Sequence, residues 1–114
     1  MARDLFQQTI QRTLEELPDA FREHLENVEV IVEGEWADDP GLYGLYDGVP
    51  LTERATGSTD MCGPDRVYVF RRPLTEDFGD DPRTLAREIR VTLLHELGHY
   101  FGIDEDRLAE LGWA

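Results

Sequence analysis

The chain has 114 residues, of which 40% are hydrophobic, and carries 25 acidic residues against 11 basic ones, a net charge of −14. This length holds one compact domain and no second. The acidic excess argues against nucleic acid or an anionic membrane as partner, because both are polyanions, and no stretch approaches the roughly 20 apolar residues of a membrane span. All the basic residues are arginines, and Cys62 is the sole cysteine, so no intrachain disulfide forms. The first residues, Met1-Ala2-Arg3-Asp4-Leu5-Phe6, lack the apolar run of a secretory signal, and a soluble cytoplasmic protein is the expectation.

In chain order, Leu5, Phe6, Ile10, Leu14 and Leu17 recur at helical spacing and predict an amphipathic helix over 4–16, ended by Pro18. A second helical piece is expected over 19–26, with Asp19 as N-cap and Ala20, Phe21 and Leu25 turned inward. His24 reads as a surface or half-buried histidine. Val28 to Glu33 alternates like a strand. Asp38-Asp39-Pro40-Gly41 signals a turn, and Leu42–Tyr46 a short strand or extended loop. Residues 52–65 read as a polar loop, and Arg66–Arg71 as the clearest strand, closed by Pro73. Asp80-Asp81-Pro82 announces a helix running from about 82 to 101, which Gly102 stops. A last short helix over about 105–111 takes Asp104 as its N-cap.

The long helix carries His95-Glu96-Leu97-Gly98-His99. Two histidines four residues apart lie about 40° apart around a helix axis and about 6 Å apart along it, so both rings can bind one zinc ion from one face. Glu96 is then placed as general base on a zinc-bound water. The surrounding segment is apolar on most sides (Val91, Leu93, Leu94, Leu97, Tyr100 and Phe101). A helix of that kind is buried, and buried polar groups need partners; a metal supplies one. A catalytic zinc takes three protein ligands and keeps one position open. After the reversal at Gly102, Glu105 is the preferred third ligand, with Asp104 and Asp106 as alternatives that serve equally as cap or first-turn charges. Cys62 is a weaker candidate, since nothing near it has a ligand spacing.

At these residues the chain resembles the zincin metallopeptidases. His95-Glu96-x-x-His99-x-x-Gly102-x-x-Glu105 is similar to the extended motif of metzincins and Asp-zincins. More narrowly, the chain resembles the compact bacterial zincin-like family, or mini-zincins. The likeness covers its length, the segment from Gly44-Leu45-Tyr46 to Pro50-Leu51-Thr52, the late strand ending Phe70-Arg71-Arg72-Pro73, and the motif helix near the C-terminus.

The resemblance implies a single α+β domain over 1–114, a small sheet packed on helices. It implies zinc on His95, His99 and a third ligand, with Glu96 as general base in peptide-bond hydrolysis. A strand such as Arg66–Arg71 would line the cleft and pair with an extended substrate through its edge. Tyr43, Tyr46 and Tyr68 are candidate oxyanion donors.

There are two departures. Glu105 stands where the family pattern has Asp, and none of the nine residues after it is Met, so the metzincin Met-turn is absent. Trp113 is the large aromatic left as support beneath the metal, with a plain core role as the alternative. The expected partner is a peptide or protein substrate, and a homodimer would help to complete a cleft wall. The rival from another class is a non-catalytic binding module of the same fold, with or without metal.

Overall fold

In the computed structural model, residues 4–50 and 64–113 are described. The loop expected over 52–65 falls largely outside them, as does Cys62.

The order is α1 (Leu5–Glu16), α2 (Asp19–Arg22), β1 (Val28–Glu33), β2 (Gly44–Asp47), β3 (Asp65–Phe70), α3 (Arg71–Phe78), α4 (Pro82–Phe101) and α5 (Glu105–Leu111). The expected α+β fold is present. The carboxylate of Asp4 starts α1 by accepting from the Phe6 N–H at 2.9 Å. The buried face of α1 is Phe6, Ile10 and Thr13, and the Thr13 hydroxyl is satisfied by the Thr9 carbonyl at 2.7 Å. The second helix is shorter than its sequence suggests. Pro18, not Asp19, is its N-cap, and Ala20 is exposed while Phe21 and Leu25 are half-buried. One helical turn has too few residues to bury a full face.

The sheet has the order β1-β3-β2. β1 runs parallel to β3, with Val30 opposite Val67. β2 runs antiparallel to it, with Gly44 opposite Val69 and Tyr46 opposite Val67. The clearest strand of the sequence is therefore the central one. The expectation that it offers an edge to a substrate is overturned, because both its edges are taken; β2 is the edge on the side of the motif helix. Val67 and Val69 turn inward and are fully buried.

Sequence patterning misses α3. Pro73 reads as a stop, yet it sits in the first turn of a helix that begins directly after β3, where no intrahelical N–H bond is lost. The longest helix, α4, has the expected limits. Asp81 caps it, Pro82 opens it, and Gly102 closes it at φ 78°. Leu85, Ile89, Leu93 and Leu97, each one turn from the last, form its core stripe. α4 packs against β2, β3, α1 and α3.

Both C-terminal helices end in the same way. Ile103 N–H bonds the Gly98 carbonyl and Gly102 N–H that of His99; Trp113 N–H bonds Leu108 and Gly112 N–H bonds Ala109. These are Schellman turns, each with a left-handed glycine. The first folds α5 back onto the motif segment, and the second turns the chain toward it again.

Candidate metal centre

His95, Glu96 and His99 lie in the last two turns of α4, and each offers one ligand atom within 4.8 Å of the others. The imidazole centroids are 4.7 Å apart, as the one-turn spacing requires. α5 supplies the facing group. Glu105 Oε1 lies 3.6 Å from His95 Nε2 and 3.1 Å from His99 Nε2, so one carboxylate oxygen reaches both rings. Its neighbours do not share that position: the Asp104 side chain accepts from the Arg107 N–H at 2.9 Å as the cap of α5, and Asp106 is an exposed first-turn charge.

Trp113 comes to the site through its backbone. Its carbonyl lies 3.2 Å from His95 Nδ1, a contact that fixes the tautomer and leaves Nε2 as the free lone pair. The indole ring lies against Phe21, at 5.6 Å between centroids. His24 remains exposed; its carbonyl accepts from the buried Tyr100 hydroxyl at 2.6 Å.

The site runs from open to closed. Side-chain exposure falls from 69% at Glu105 through 37% at His99 to 13% at Glu96. Burial pushes the Glu96 pKa above the usual glutamate range. His99, His95 and the Tyr46 backbone N–H oppose the rise, and Glu105 adds to it. The Tyr46 contact joins the sheet edge to the motif helix, and Gly44 makes that approach feasible. A Cβ on Gly44 would stand 2.6 Å from Thr92 Cγ2 and 3.1 Å from Glu96 Cγ, inside van der Waals contact. Gly44→Ala is expected to push β2 off α4, costing about 1–3 kcal/mol, while zinc affinity holds, since the three ligand candidates lie on α4 and α5. Denaturation and zinc titration on the same protein check this, and unchanged stability would refute it.

Beside Glu96 opens a cleft of about 330 Å³. Leu42, Tyr43 and Gly44 form one side; Glu88, Val91, Thr92, His95 and Glu96 form the other. Of the three tyrosines, only Tyr43 lines this cleft. Its hydroxyl donates to Asp77 on α3, and that bond is the main reason its pKa is raised. The Tyr46 hydroxyl donates to Asp65 at 2.7 Å. Tyr68 stacks on Phe70 and tilts against Trp36.

A donor set of two imidazoles and a carboxylate, with one ring oriented by a carbonyl and an acid alongside, suits zinc. The profile of the zincin-like metallopeptidase family matches residues 8–113. The chain belongs to that family. No curated protein matches it. Members of a zincin-like family use a divalent metal, usually zinc, and the His95–Glu96–His99 group offers it a place. Among the described residues, no helix of this family member is long and apolar enough to cross a membrane. Glu96 and His95 both lean on backbone groups, the Tyr46 N–H and the Trp113 carbonyl, and no sequence pattern signals a backbone partner.

Proposed function

We propose that this protein is a zinc-dependent peptidase, with His95, His99 and Glu105 as metal ligands and Glu96 as general base. The observation that carries the reading is the single Glu105 oxygen facing both Nε2 atoms beside a largely buried carboxylate. Bound there, zinc would act as a Lewis acid toward a substrate carbonyl and a water. Glu96 would take the proton from the water and deliver it to the leaving amine, and the burial that raises its pKa favours its holding that proton between the two transfers. The Tyr46 N–H supports the ionised form of the carboxylate, and the Trp113 carbonyl holds His95 in its ligating tautomer. Leu42, Tyr43 and Gly44 bound the space for the substrate chain.

The test is zinc titration together with a screen of diverse peptides. Wild type is expected to bind one zinc per chain and cleave; His99→Ala is expected to lose both metal and hydrolysis, and chelation to mimic that loss reversibly. A protein that binds no zinc when titrated is not a zinc peptidase.

A further inference from the structure

We propose that the cleft beside Glu96 selects substrates with an arginine or lysine next to the scissile bond, and that Glu88 is the residue that reads the cation. The inference rests on the peptidase reading of the same site and adds its substrate class.

Glu88, Val91 and His95 follow one another at spacings of three and four on α4, so they share a face, and all three line the cleft. Glu88 stands two turns from His95, about 10.5 Å along the axis. One extended residue, about 3.4 Å, followed by a long cationic side chain spans that separation. The route between is apolar: Leu42, the Tyr43 ring and Val91 suit the methylene stem of arginine or lysine, which packs on apolar surface while its head keeps a polar partner.

The charges point the same way. Among the described residues no arginine lines the cleft. Glu88 is only 28% exposed. Its ion partner Arg87 is the adjacent residue, 68% exposed and 3.7 Å away at Nε. Such a surface pair is worth little and yields to a cation held in the cleft. Asp77, bonded to the Tyr43 hydroxyl, and Glu88 on the cleft lining put two carboxylates at this end of the cleft; both raise the Tyr43 pKa, Glu88 the least of the causes. The net charge of −14 attracts cationic peptides from a distance.

The experiment uses hexapeptides of alanine and leucine with a central arginine, alanine or glutamate. Cleavage is followed with zinc-loaded wild type, and binding of labelled versions with zinc-loaded Glu96→Gln. The arginine peptide is expected to exceed the alanine peptide by roughly tenfold in both kcat/KM and affinity, the scale of one partly exposed charge contact. Glu88→Gln should level the two, and Glu88→Arg should favour the glutamate peptide, with one zinc per chain retained in each. Equal use of the three peptides, or an arginine preference that survives Glu88→Arg, overturns the proposal. If nothing is cleaved but arginine-selective, Glu88-dependent binding remains, the selectivity stands and the peptidase reading falls. If neither cleavage nor binding occurs, both fall.

Discussion

Glu96→Gln is expected to keep one zinc per chain and to lower peptide hydrolysis by roughly 10²–10⁴-fold, the usual contribution of a positioned general base. Glutamine has the shape of glutamate and still accepts the Tyr46 N–H, so the fold and the ligand set stay in place while the proton acceptor is lost. Hydrolysis by Glu96→Gln at the wild-type rate would move the base elsewhere.

The same variant has a second readout in the metal-free protein. Burial raises the Glu96 pKa in the folded state, so the folded chain holds this proton more tightly than the unfolded chain does. The contribution to stability is full below the ordinary glutamate pKa and is lost as pH rises through the raised value. Glutamine undergoes no such loss. Denaturation of the two metal-free proteins should therefore show Glu96→Gln gaining on wild type as pH rises from the acid range to neutrality. A difference that does not change with pH would contradict the burial effect.

The second large effect is expected at Gly98, inside the motif but not a ligand. A Cβ there would lie 2.2 Å from Leu108 Cδ2, and Leu108 is fully buried, so its side chain must shift within the core or carry α5 with it. Gly98→Ala adds about 1 kcal/mol of helix propensity, against about 1–3 kcal/mol for overpacking. The net expectation is a loss of up to about 2 kcal/mol. Zinc affinity should fall more sharply than stability, because α5 carries Glu105. Adding Leu108→Ala to Gly98→Ala makes room and should restore part of the affinity, a coupling that a double-mutant cycle measures. Additive effects in that cycle would show that the Gly98–Leu108 contact does not govern the position of Glu105.

Much of this was legible in the sequence wherever the signal is local. Asp81-Pro82 and Gly102 bound α4, and Asp104 caps α5, at the residues their types imply. Capping also separates the three neighbouring acids: Asp104 is engaged with the Arg107 N–H, and Glu105 is the one that faces the imidazoles. What was not legible depends on distant parts of the chain. Arg71-Arg72-Pro73 resembles a stop unless the proline falls in a first turn, as it does in α3. Strand order needs pairing between β1 and β3, more than thirty residues apart in register, which no local pattern encodes. For the same reason the edge belongs to the weakly marked β2 and not to β3.

The ligand candidates and the carbonyl that orients His95 all fall between residues 95 and 113, closed by two glycine turns. The hold on Glu96 comes instead from Tyr46, fifty residues upstream. Closing the short loop carries a small entropic cost and the long one a larger cost. On the proposed reading, metal capture would depend on the short loop and catalysis on the long one as well, so the two need not fail together. Under mild denaturant, zinc should stay on a protein whose sheet edge has already let go of the base, so turnover would be lost before metal.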